Sequence, residues 1–80
     1  MNEEQIYGAL TQVFHEVFDD ETIVLSPTTN TNDIEDWDSQ AHVTLIVASE
    51  ERFGIRFRTA ELESLHNVGQ FVRLIHAKLQ

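Results

Sequence analysis

The apolar positions of this chain fall into three helical stripes separated by stretches without helical period. Ile6, Leu10, Val13, Phe14 and Val17 recur at i, i+4, i+7, i+8 and i+11, one face of an α-helix. Asn2 opens that helix, since Asn2-Glu3-Glu4-Gln5 reads as a capping box in which Asn accepts at the cap and Gln5 reaches back. The acidic trio Asp19-Asp20-Glu21 is unfavourable at a helix C-terminus, where the dipole favours cations, so the helix is expected to end near Phe18. Residues 22–37 show no helical period and carry the turn formers Pro27, Thr28, Thr29, Asn30, Thr31 and Asn32. Pro27 also restricts Ser26 to extended geometry. A connection this long is functional or disordered when it occurs in a compact domain. Ile23, Val24, Leu25, Ile34 and Trp37 are apolar enough to pin it onto a core, so an ordered loop is expected.

Asp38 is a good N-cap for a second helix, roughly Ser39 to Phe53. Its apolar positions Val43, Leu45, Ile46, Val47 and Phe53, with Ser49, spread over roughly 200°, wider than one neighbour requires. Ser39, Val43 and Ile46 share one line, which sets the serine at the edge of that face. Gly54 ends the helix as a left-handed cap. Ile55 and Phe57 alternate with Arg56 and Arg58 as in a short extended piece, and Thr59 is expected to cap a short helix carrying Leu62 and Leu65. Asn67-Val68-Gly69-Gln70 is a second Asn-x-x-Gln box, opening a last helix with Val68, Phe71, Val72, Ile75 and Leu79 at helical spacing and Lys78 complementing the dipole near its end. The expected fold is all-α: a small antiparallel bundle of three main helices plus one short helix, with a long loop after the first.

Length and charge narrow the function. The 80 residues make one domain, 1–80, of radius of gyration ~12 Å. With no cysteine there is no disulfide, thiolate nucleophile or cysteine zinc site. Fourteen acids against five bases give a net charge of −9, which argues against nucleic acid and for partners with basic docking faces. The longest apolar run, Val43 to Ala48, contains Thr44, so no membrane insertion is expected, and the acidic start MNEEQ lacks the apolar region of a secretory signal. A monomeric cytoplasmic protein is the expectation.

Candidate chemistry centres on Ser39. It follows an acid and opens a helix at the exit of the long loop, beside Asp33, Glu35, Asp36 and Asp38. A helix N-terminus tolerates a phosphate ester, because it offers unpaired N–H groups and a positive dipole end. From composition alone a simple cap serine is the commoner reading. The surrounding residues change it. Trp37-Asp38-Ser39, then His42-Val43, then Glu50-Glu51-Arg52-Phe53-Gly54-Ile55-Arg56-Phe57, the Thr-opened short helix and the Asn-Val-Gly start of the last helix resemble the acyl and peptidyl carrier proteins over nearly the whole chain.

That resemblance implies a non-catalytic carrier with Ser39 as the attachment point of 4′-phosphopantetheine, transferred from coenzyme A by a phosphopantetheinyl transferase. The arm holds an acyl intermediate as a thioester and presents it to acyl-activating, condensing or acyltransferase enzymes. Asp38, Val43, Val47, Glu50 and Glu51 are the expected partner-facing residues, an apolar pair with a charged rim. The chain departs from the family at Gln40, where Leu usually follows the serine, at Trp37 before the aspartate, and at Ala41, His42 and Thr44, positions richer in acids in fatty-acid carriers. These departures imply a specialised lipid or secondary-metabolite pathway. A helical interaction domain without a prosthetic group is the alternative, favoured by Gln40.

Other constellations are weak. His15, His42, His66 and His76 lack i, i+3 or i, i+4 pairing on one helix, so metal is not expected. Asp38, Ser39 and His42 invite a catalytic triad, but one exposed helical turn makes no pocket, and His42 is expected at the surface. The loop acids lack the glycine and terminal glutamate of a calcium loop. Trp37 is expected to anchor the loop beside Ile34.

Overall fold

The computed structural model describes residues 1–63 and 65–80. Local signals set its helix ends. Asn2 Oδ1 accepts from the Gln5 N–H at 2.8 Å while Gln5 Oε1 accepts from the Asn2 N–H at 3.0 Å, the reciprocal box that starts α1, Glu3–Phe18. α1 closes on Asp19, which takes the left-handed conformation (φ 50°) that aspartate tolerates better than most residues. α2, Ser39–Phe53, is capped by Asp38, whose carboxylate accepts from the Ala41 N–H at 2.8 Å, and ends on Gly54 at φ 67°. α3 is Thr59–Glu63 and α4 is Val68–Lys78.

The all-α bundle closes around Ile6, Leu10, Val13 and Phe14 of α1, Leu45 and Ile46 of α2, and Val68, Phe71, Val72 and Ile75 of α4. Burying side chains of this size stabilises by about 1.5–3 kcal/mol each. Ser49 is fully buried among them, and its hydroxyl is satisfied by the Leu45 carbonyl at 2.8 Å. Only part of the wide apolar arc of α2 is used, because Val43 and Val47 stay 63% and 48% exposed. The radius of gyration is 11.5 Å.

The loop between α1 and α2 is ordered by backbone pairing. The Thr29 N–H donates to the Ser26 carbonyl at 3.1 Å, and Thr29 Oγ1 accepts from the Ser26 N–H at 2.9 Å. The loop then serves α4: the Val68 and Gly69 N–H groups donate to the Thr29 and Pro27 carbonyls at 2.8 and 3.0 Å. Those are orphan donors of a helix start, satisfied here from a distant segment. A Cβ on Gly69 would stand 2.8 Å from the Pro27 carbonyl oxygen, so the approach requires glycine. Ile23, Leu25, Ile34 and Trp37 pack on the core as expected. Val24 does not. It is 84% exposed, since burial alternates from Ile23 to Ser26 and Val24 falls on the outward side.

Two cap assignments also shift. α3 starts at Thr59, so Arg58 takes the cap position: its N–H donates to Glu61 Oε1 at 2.8 Å and its carbonyl accepts from the Glu61 N–H at 3.0 Å. Leu65 lies beyond α3 but still packs on the core. At α4, Asn67 accepts from the Gln70 N–H at 2.9 Å, whereas Gln70 Oε1 reaches one residue further back, to the His66 N–H at 2.6 Å. The box is therefore open on one side and ties down the approach to the helix instead.

Candidate functional site

Ser39 is the first residue of a 15-residue helix and is exposed. Asp38 turns one carboxylate oxygen onto the Ala41 N–H, which leaves the Ser39 and Gln40 N–H groups as orphan donors at the positive end of the helix. The Ser39 hydroxyl itself has no hydrogen bond among the described residues. The other two described serines are engaged: Ser26 Oγ pairs with the hydroxyls of Thr28 and Thr29 at 3.2 and 3.1 Å, and Ser49 is buried on Leu45. Thr44, one turn along α2, is also committed, to the Gln40 carbonyl at 3.2 Å. Ser39 thus combines an accessible oxygen, a dipole suited to an anion and no structural duty.

Trp37 holds the turn that leads into this end of α2. Its indole lies edge-on to Phe14 with ring centroids 5.3 Å apart and tilted against Phe18 at 6.2 Å, so the loop is anchored on α1. On its other side Trp37 stacks on His42 at 6.0 Å and donates its Nε1–H to His42 Nδ1 at 3.1 Å. His42 is therefore a half-buried partner of the tryptophan and not the surface histidine expected from helical position. Together they form one wall of a small cavity of about 40 Å³, closed by Leu45, Ile46, Leu65 and Phe71. On the opposite flank Val17, Phe18, Gln40, Ala41 and Thr44 line an open, shallow groove.

The expected docking residues separate into two kinds. Asp38, Val43, Val47 and Glu51 are exposed along α2. Glu50 is turned inward: Oε2 accepts from the Phe57 N–H at 2.8 Å and Arg56 stands 4.0 Å from Oε1, so this carboxylate fixes the segment after α2. Two of the acids between α1 and α2 serve turns. Asp33 Oδ2 accepts from the Asn30 N–H at 3.0 Å, and Asp20 binds the Thr22 side chain and N–H, which holds its carboxyl below the usual range. His15 donates from Nε2 to the Ile23 carbonyl at 2.8 Å, a loop tie invisible to helical spacing. Among the described residues no three acids or histidines group as a metal site, and no helix is long and apolar enough to cross a membrane.

Comparison with known proteins fits this geometry. An acyl carrier protein of Acidothermus cellulolyticus is 33% identical over 75 residues, covering 94% of this chain and 89% of that protein. The chain belongs to the acyl carrier protein family. The solution NMR structure of a holo acyl carrier protein from Geobacter metallireducens superposes with a TM-score of 0.87 at 46% identity, over 91% of this chain and 84% of that one. No family model matches the chain. As an acyl carrier protein it is a carrier and not a catalyst: it holds acyl groups as thioesters on a 4′-phosphopantetheine arm and passes them among enzymes of acyl metabolism. The thiol that a cysteine-free chain lacks comes with the arm.

Proposed function

We propose that the arm is attached at Ser39, on the strength of one observation: among the described serines its hydroxyl alone is exposed and unbonded, at a helix N-terminus suited to a phosphodiester. In the modification Ser39 Oγ forms a bond to the β-phosphorus of coenzyme A. The bond from that phosphorus to the bridging oxygen breaks, the adenosine bisphosphate leaves, and the hydroxyl proton passes to a base on the transferase. The single domain 1–80 contributes the tether point and a recognition face. Once attached, the arm supplies a terminal thiol for thioester formation. Tethering raises the effective concentration of cargo at each partner without tight binding.

The docking face is Asp38, Val43, Val47 and Glu51, with Glu50 supporting it from beneath by fixing residues 55–57. An apolar centre with an acidic rim suits a phosphopantetheinyl transferase and condensing or acyltransferase enzymes with basic surfaces, met in the cytoplasm by a monomeric carrier. Ala41, His42 and Thr44 leave the middle of α2 without acids, which weakens steering toward a strongly basic synthase and supports a role in a specialised lipid or secondary-metabolite pathway. Incubating the protein with coenzyme A and a transferase, then reading the intact mass, tests the reading. The expected result is one phosphopantetheinyl increment per chain. An unchanged mass would instead favour an interaction domain without a prosthetic group.

A further inference from the structure

His42 lies three residues after Ser39, so the two are neighbours on one turn of α2 with Cβ atoms typically ~5–6 Å apart. Helical side chains lean toward the N-terminus, which carries the imidazole over the turn that bears Ser39. Its ring is held firmly. The indole Nε1–H of Trp37 can only donate, so His42 Nδ1, at 3.1 Å, must be the bare acceptor nitrogen. A neutral imidazole with bare Nδ1 carries its proton on Nε2. Trp37 is itself wedged against Phe14 and Phe18, so both the tautomer and the orientation of His42 are set by packing on α1. No hydrogen bond within the described residues uses that Nε2–H. A fixed, unspent donor thus stands one turn from the hydroxyl to which, on the reading above, the arm is attached.

We propose that His42 is a positioning residue for the arm: its Nε2–H, selected by the Trp37 hydrogen bond, donates to a phosphodiester oxygen on Ser39. A phosphodiester carries a full negative charge and accepts such bonds strongly. The orphan N–H groups of Ser39 and Gln40 approach the same anion from the helix end, so the arm leaves the protein in a restricted direction. His66 lines the same small cavity as the imidazole, and Asp38 caps the same helix four residues before it.

The inference rests on attachment at Ser39, and phosphorus NMR of the intact-mass-verified modified protein tests it separately. At one fixed pH the phosphodiester resonance should differ between the wild-type protein and His42→Gln, because the variant loses a donor to the anion, and it should be unmoved in His66→Gln. Trp37→Phe, which keeps the imidazole but removes the donor that orients it, should move the resonance part of the way toward its position in His42→Gln. A resonance at the same position in the wild type and His42→Gln would overturn the role of His42 while leaving attachment intact. A chain whose mass never increased would show no phosphodiester signal, and then the attachment reading itself is what fails.

Discussion

The connector between α1 and α2, residues 19–38, and the connector between α2 and α4, which carries the short helix α3, are held by different means. The first connector is tied largely through backbone: its Pro27 and Thr29 carbonyls take the first N–H groups of α4, His15 grips the Ile23 carbonyl, and Trp37 wedges into the α1 aromatics. The second hangs on side chains of mixed exposure. Glu50 accepts from the Phe57 N–H, and Glu61 pairs with Lys78 of α4 at 2.9 Å while Lys78 lies over the Phe57 ring at 5.9 Å. α3 itself has no buried residue. The difference follows from what each must do. The long connector fixes the end of α2 that bears Ser39, the proposed attachment point, whose displacement would misdirect the cargo. The short one borders the cavity beside Leu65, and few buried apolar contacts allow it to open at low free energy.

Trp37→Ala should separate the two most sharply. Full burial of an aromatic is worth 3–5 kcal/mol on truncation, and a half-buried one should cost about 2–3 kcal/mol in denaturant unfolding. Amide exchange should rise across 19–38 and stay unchanged across 54–63; a uniform rise would merge the two connectors into one unit. Gly69→Ala comes next. Its new Cβ meets Pro27 backbone, so strain of about 1–3 kcal/mol outweighs the gain of up to ~1 kcal/mol in helix propensity, a net loss of about 1–2 kcal/mol. A more stable variant would show that the loop yields easily.

Glu50→Ala should cost about 1–1.5 kcal/mol by leaving the Phe57 N–H without its acceptor, with the loss of exchange protection confined to 54–58. An undiminished protection there would return Glu50 to the proposed docking face. The smallest effect belongs to Glu61. The Lys78 ammonium, and then the Arg58 N–H, hold its carboxyl below the ordinary glutamate value. Its folded pKa is thus lower than its unfolded one, so its contribution is complete above about pH 4.5 and fades as pH falls through the folded value. Exchange in α3 should quicken over that acidic window in the wild type, and in Glu61→Gln it should already be fast and lack the pH step.

These contrasts mark what sequence could carry. The starts and approximate ends of α1 and α2 were legible, because Asn2, Gln5, Asp38 and Gly54 act on backbone within a few positions of themselves. Ser39 stood out by its neighbours, and Val43 and Val47 by an apolar arc too wide for the core. What escaped were ties across elements: Glu50 to Phe57, Gln70 to His66, His15 to Ile23 and Trp37 to His42. Helical periodicity says which residues share a face, and it says nothing of which carboxylate or ring meets a chain segment arriving from elsewhere. Arg58 displaced Thr59 at the α3 cap for a related reason, since Glu61 supplies the side-chain half of that cap to a residue whose own side chain plays no part.

The central claim is that Ser39 serves chemistry and not the fold. Ser39→Ala and the wild-type protein, each treated with coenzyme A and a phosphopantetheinyl transferase, would be compared by intact mass and peptide mapping alongside their melting midpoints. The account predicts a single modified peptide containing Ser39 in the wild type, none in the variant, and thermal midpoints equal to within the effect of about 0.5 kcal/mol expected at an exposed, unbonded position. A variant that still gains the phosphopantetheinyl mass would contradict it.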